Sequence, residues 1–399
     1  MKTKILLVLF VTFNILSCSK DSSDDDNESF TFQVEVQNVT DRDATITWSR
    51  PEGSNITYKI YLNDELLEEN FGQTSYTFTD LPSETNYSGK IIATNGNKIA
   101  TVNFSFFTEP YIPNIYNGHV FLHSQDQVNE FGSSHYNIIE YDLIIDSHFP
   151  ITDLSPLSDL REVKGTLKII KTSMETLRGL ENLESVGLEL YIFNTNLKNL
   201  SHLQNLTHIG GNIEIFSNAV LEDVNGLQNV RNFNAALQIS NSQIKNLNIL
   251  NDATTLEQIY ITENHELLTI DGLQNVETIT GNVDIFYNEN LHTINGLGSI
   301  ISIGGSLFLD YNLSLLNIGL TSLVSIEGHF GMYQNFMLSN LNELSNLESF
   351  QSLQIIENTE LKDFCGITSA VLNFNQNLNI SDNQYNPTLE DFINGNCSL

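Results

Sequence analysis

The chain has 399 residues, 17 Lys plus Arg against 49 Asp plus Glu, and a formal charge of −32, a surface that repels nucleic acid. A hydrophobic share of 40% excludes a wholly disordered chain, and the only stretch apolar enough to meet a bilayer lies at the start, which excludes a multi-span transporter. Asparagine is in excess, with 50 residues of which 36 lie beyond residue 137, a bias that points to internal repetition.

At the start, Lys2 and Lys4 lead into an apolar run over residues 5–13 that only Thr12 interrupts, then Ile15-Leu16-Ser17-Cys18. A charged head and a short apolar segment read as an export signal over residues 1–17. The ending resembles the bacterial lipobox, which implies lipidation of Cys18, and acyl chains would hold the protein on a membrane at about 0.8 kcal/mol per buried methylene. Residues 18–29, with Asp21, Asp24, Asp25, Asp26 and Glu28, contain almost nothing to bury after Cys18 and read as an acidic, disordered tether of roughly 20 Å. This acidic cluster resembles the surface-export signal of Bacteroidota lipoproteins, which implies the outer membrane and the cell surface.

Residues 30–109 alternate apolar and polar side chains in short runs, such as Ala44-x-Ile46-x-Trp48 and Val102-x-Phe104-x-Phe106, divided by turn residues such as Asn95-Gly96. Period two with this punctuation predicts about seven antiparallel strands in a sandwich. Trp48 on the second strand and Leu81-Pro82-Ser83-Glu84-Thr85-Asn86-Tyr87 resemble fibronectin type III, whose Tyr corner is buried. There is no Arg-Gly-Asp loop to carry integrin adhesion over, and the domain reads as a spacer. Pro110 and Pro113 make residues 110–118 an extended link.

From 119 to 399 the sequence repeats. Apolar-x-apolar triplets begin at Leu143, Leu167, Leu190, Ile213, Leu237, Ile259, Val283, Leu307, Phe330, Leu353 and Leu372, a period of about 23 residues over eleven copies. No copy can bury its apolar positions alone, so the copies stack on a shared core. The text Ile209-Gly210-Gly211-Asn212-Ile213-Glu214-Ile215 through Leu221 is similar to leucine-rich repeats, and closer to receptor L-domains. That resemblance implies a mainly β fold: a right-handed parallel β-solenoid of about 11 turns, flat rather than strongly curved, whose sheet recognises partners.

Third after the triplet stands Asn218, Asn264, Asn288, Asn312, Asn335, Asn358 and Asn377, a column of amides able to satisfy backbone groups where each strand bends. A capped helix with Val128 and Phe131 inward is expected at the front of the stack. At the rear, a helix is expected with Asn386 as N-cap, Pro387 in its first turn, Leu389, Phe392 and Ile393 on one apolar face and Gly395 at its end. Export implies oxidising conditions, so Cys365 and Cys397 are expected to pair.

The middle residue of each triplet and the one after it face away from the core. These two columns hold Tyr191, Phe193, Phe216, Tyr260, Phe286, Phe308 and Tyr333, with Asn373 and Asn375 at the far end, and an aromatic band on an exposed face suits protein or glycan binding. The sequence shows no Gly-x-Ser-x-Gly, phosphate loop, His-Glu-x-x-His or calcium loop, and its nine His are scattered, so no enzyme, cofactor or metal is expected. The expected function is a lipid-anchored surface protein that binds an extracellular protein or glycan; the alternative is a structural or self-associating envelope protein.

Overall fold

A computed structural model describes residues 30–96, 98–374 and 378–399, and the chain divides into two compact units between Ile112 and Pro113. The expected export segment, Cys18 and the expected tether lie outside the described residues, as do Asn375 and Asn377. Among the described residues no helix is long and apolar enough to cross a membrane.

The first unit is built from β1 (Val34–Gln37), β2 (Ala44–Trp48), β3 (Thr57–Leu62), β4 (Glu65–Phe71), β5 (Ser75–Phe78), β6 (Asn86–Asn95) and β7 (Lys98–Phe107). They form two antiparallel sheets, β1-β2-β5 and β4-β3-β6-β7, whose alternating inward residues meet in one core. Trp48 packs edge-on against Tyr58 at 5.3 Å, and Tyr87 stacks on Phe106 at 5.2 Å. Both Trp48 and Tyr87 are buried, which gives the two residues singled out in the sequence their place in the core.

The second unit is a repeat. Each full turn contributes a strand of about four residues to one long sheet, a short apolar arc that in most turns is a single 3-10 turn, and, in most turns, a two-residue strand on a third side. Among the described residues the long sheet has 12 parallel strands, consistent with a parallel β-solenoid. Ten of the expected triplets lie in it, and Leu143 pairs with Leu167, Leu167 with Leu190, and so on in unbroken register to Leu353. The triplets are strands because their first and third residues are apolar and buried, while the arcs close over a second buried set such as Leu177, Leu180, Leu183 and Val186. Gly226, Gly296 and Gly366 begin no strand; each lies so close to the preceding turn that a β-carbon would fall within 2.0 Å of its carbonyl oxygen.

Three expectations need correcting. The repeat begins earlier than residue 119: Ile115–Tyr116 joins the short sheet, and Val120–Leu122 is the first strand of the long one, paired with Leu143 to Ile145. Leu372 starts no strand, because residues Thr368–Phe374 form helix α2; the last strand is Asn379–Ser381, which follows Leu378. The inserted helix lengthens this turn and moves the strand further along the chain. The rear helix α3 (Leu389–Ile393) is capped by Thr388, whose side chain and Asp391 form a reciprocal capping box, rather than by Asn386. Pro387 therefore precedes the cap, and Ile393 is 64% exposed while Phe392 is buried. At the front, helix α1 (Gln125–Gly132) is capped by Ser124 and buries Val128, with Phe131 packed on the core. A disulfide joins Cys365 to Cys397, whose Cα atoms are 4.9 Å apart, beside the end of the stack.

Candidate recognition face

Strand pleating sorts the side chains of the long sheet. Along Leu167–Ile170, Leu190–Phe193, Ile213–Phe216 and Val283–Phe286 the first and third residues are buried and the second and fourth half-exposed. The outward residues therefore line up across the strands. One column runs through Lys168, Tyr191, Glu214, Gln238, Tyr260, Asp284 and Phe308; the other runs through Ile170, Phe193, Phe216, Ser240, Thr262, Phe286, Asp310 and Tyr333.

The rings gather in two groups instead of one band. Tyr191 lies 6.1 Å from Phe193 and 6.2 Å from Phe216, with the Lys168 ammonium 4.8 Å above the Tyr191 ring. After the Gln238 and Ser240 turn, Tyr260 meets Phe286 edge-on at 5.4 Å and Phe286 meets Tyr287 at 6.0 Å. Tyr287 stacks on Tyr311 at 4.4 Å, and Tyr311 meets Tyr333 at 5.0 Å. Phe308 turns toward His329, 5.3 Å away. The two columns are also not uniformly open, since Thr262 and Gly331 are buried. Asn373, placed on the face in the sequence reading, belongs to helix α2, and the last outward positions are Asn379 and Ser381.

Tyr287 and Tyr311 escaped the two-column reading because they occupy the next position, where the strand turns away. The residue there has a left-handed backbone, at φ 57° for both tyrosines. Their signal was nonetheless present: each stands immediately before a column Asn, 24 residues apart.

Charge is distributed unevenly beneath the rings. Burial pushes the Asp310 carboxyl up to about 6, the nearby Asp284 adds to the rise, and a hydrogen bond from the Tyr333 backbone opposes it. Asp284 is raised by burial against a 3.3 Å hydrogen bond donated by Gln258 Nε2. Burial, then Glu263 and Asp284, raise the Tyr260 phenol. In the other group, burial and the neighbouring Glu189 raise Glu214. Burial lowers the His329 pKa, and its Nδ1 lies 2.7 Å from Ser352 Oγ. The second group thus combines flat ring faces with two carboxyls that burial raises, Asp310 to about 6.

The amide column fixes the plane of this face. Each buried Asn side-chain oxygen accepts from the backbone N–H of the residue at the same position one turn earlier: Asn288 from Asn264 at 3.1 Å, Asn312 from Asn288 at 3.3 Å, Asn335 from Asn312 at 3.2 Å, Asn358 from Asn335 at 2.9 Å. Each amide NH2 donates back to a strand carbonyl, as Asn288 does to Ile261 and Asn312 to Ile285. Asn218 and Asn264 serve Thr195 and Ser242 in the same way. The column continues through Asn383 and ends on Asn386, which accepts from the Asn383 backbone at 3.0 Å. That contact occupies the side chain expected to cap α3.

A third outward cluster lies at the front of the sheet, where no metal ligands were expected. His123 follows the first strand, Asp146 ends the second, and His148 stands two residues beyond, with candidate donor atoms of all three within 4.8 Å of one another. The 23-residue step from His123 to Asp146 equals the repeat, which was the available signal.

Residues 31–103 match the family model of the fibronectin type III domain. Comparison with curated proteins and with solved structures found no significant match.

Proposed function

We propose that this protein is an outer-membrane lipoprotein, anchored through Cys18 and exposed at the cell surface, that binds an extracellular protein or glycan on the outward face of its long sheet. In this reading the fibronectin type III domain is a spacer. The second unit is a right-handed solenoid of the receptor L-domain or leucine-rich-repeat kind, and recognition needs no cofactor. The observation that carries the reading is the ring group Tyr260, Phe286, Tyr287, Tyr311 and Tyr333 set around Asp284 and Asp310 on one exposed sheet. Ring faces offer apolar contact to sugar rings or to aliphatic and aromatic side chains, and adjacent carboxyls supply orienting hydrogen bonds.

The full chain should be probed on glycan and secreted-protein arrays beside the triple variant Phe216→Ala, Phe286→Ala, Tyr333→Ala. Loss of three interface rings should weaken binding by at least about tenfold. A folded triple variant that binds as tightly as the parent places the ligand elsewhere, and a parent that binds nothing but itself favours the self-associating envelope protein. Protease shaving of intact cells tests the surface location separately: protection until the envelope is broken removes it.

A further inference from the structure

We propose that His123, Asp146 and His148 form a binding site for a divalent transition ion of the zinc class at the front edge of the long sheet. The inference stands on different residues from the ring groups and does not depend on them.

The site is made by the repeat itself. Leu122 pairs with Ile145, so His123 and Asp146 follow at neighbouring outward positions of adjacent strands. His148 then comes back over them. Its Nδ1 lies 3.1 Å from Nδ1 of His123, with the rings perpendicular. Both nitrogens also approach the Asp146 backbone oxygen, at 3.0 Å from His123 and 3.3 Å from His148.

In the absence of an ion these contacts compete. Two neutral rings bring at most two Nδ1 protons to a place where the nitrogens face each other and one carbonyl. If both carry protons they oppose each other, and if only one does, it must serve either the other nitrogen or the carbonyl. A cation satisfies both lone pairs at once. With metal–ligand bonds of 2.0–2.2 Å, ligand atoms around a tetrahedral zinc lie about 3.3 Å apart, close to the separation of the two imidazole nitrogens. The Asp146 carboxylate, with an oxygen within 4.8 Å of a ring nitrogen of each histidine, supplies the third ligand. Two imidazoles with one carboxylate favour zinc, nickel or copper over calcium or magnesium. The half-buried Asp146 and His123 and the exposed His148 leave the outer side open for water or for a donor atom from a ligand.

The supports are already rigid. The His123 backbone N–H donates to Gln127 Oε1 at 2.6 Å, which ties it to helix α1, and its carbonyl accepts from Phe149 at 3.0 Å. The His148 N–H donates to the Asp146 carbonyl at 3.0 Å, and Ser147 Oγ donates to the Phe149 carbonyl at 2.6 Å. Little ordering remains to be done on binding.

Equilibrium dialysis of the full chain against Zn2+, with excess Ca2+ and Mg2+ to occupy the many exposed carboxylates, should show one retained zinc. His123→Ala and His148→Gln should each weaken it by at least about tenfold, and His265→Ala should leave it unchanged. His148 is exposed, so His148→Gln tests the site even if His123→Ala disturbs the fold. In the copper-loaded chain, paramagnetic resonance should show two coordinating imidazole nitrogens, reduced to one in His148→Gln. No retained zinc, equal retention by a folded His148→Gln variant, or a copper spectrum without imidazole nitrogen would each overturn the site.

Discussion

In the sandwich, the core is made from unlike partners, brought together across the sheets as Trp48 against Tyr58 and Phe78 against Phe104 and Phe106, or between neighbouring strands as Tyr87 against Phe106. In the repeat unit the partners are near copies. Ile215 lies beside Ile239, then Ile261, Ile285 and Leu309, each one turn from the last. The sandwich also satisfies its strands almost wholly by backbone pairing, whereas the repeat adds a buried side chain per turn for the bend. A sandwich tests every residue against several different neighbours. A stack tests it against the next copy, so a small set of positions is reused many times and the remaining outward positions are free to differ. The proposed recognition face occupies those free positions.

The largest separation of the two units should come from their cross-links. Replacing Cys365 and Cys397 together by Ser opens a loop of 32 residues' separation and should destabilise the repeat unit by about 3–4 kcal/mol. Calorimetry should then show the repeat transition moved down and the sandwich transition in place; a matching shift in both would mean that the units do not unfold independently. Asn288→Ala should cost the repeat roughly 1–3 kcal/mol, because buried backbone groups of the neighbouring turns lose their partners. The corresponding cut in the sandwich, Thr45→Ala at the exposed Thr45–Thr77 hydroxyl pair, should cost no more than about 0.5 kcal/mol. Equal melting shifts would end the distinction between a ladder that carries stability and a surface pair that does not.

The smallest expected effect concerns pH. Asp310 binds its proton more tightly in the folded chain, so its contribution favours folding at low pH and is lost as pH rises from the unfolded carboxylate value toward about 6. Asp310→Asn should therefore raise the melting temperature at pH 7.5 by about 2 °C, with little change at pH 4. A shift of the same size at both pH values would assign the effect to shape and not to ionisation.

Much of this architecture is legible in the sequence because repetition is a signal that averages over errors. The triplets from Leu143 to Leu353 lie in successive strands, and the bands of buried and outward residues follow from a period of two. Legibility fails at the ends, where there is no further copy to compare. The short strand Ile115–Tyr116 fell in the expected link because it lies between proline and polar residues, Val120-Phe121-Leu122 was not counted among the triplets, and the last strand was hidden by the α2 insertion between Phe364 and Leu378. Asn386 read as a helix cap because Asn before Pro fits that role locally, but the end of the amide column claims it. Tyr287 and Tyr311 failed to register for another reason. A left-handed residue at a strand end has no fixed type, and Lys171, Asn194, Ser217, Asn241 and Glu263 fill the equivalent places. His123 and Asp146 are 23 positions apart, and only stacking turns that interval into contact.

The amide column has a consequence for how such a chain can change length over generations. The Asn264 backbone N–H donates to the Asn288 side-chain Oδ1, and the Asn288 backbone N–H to Oδ1 of Asn312, so the link between consecutive copies is chemically the same at each step. Excising the 24 residues between equivalent points of two neighbouring copies would rejoin Asn264 to Asn312 with every donor still answered. Loss of a single residue inside a strand would instead turn its aliphatic side chains toward water. Recombination between copies can therefore lengthen or shorten the array in steps of about 4.8 Å, giving a lineage a ruler to adjust while its joints stay standard.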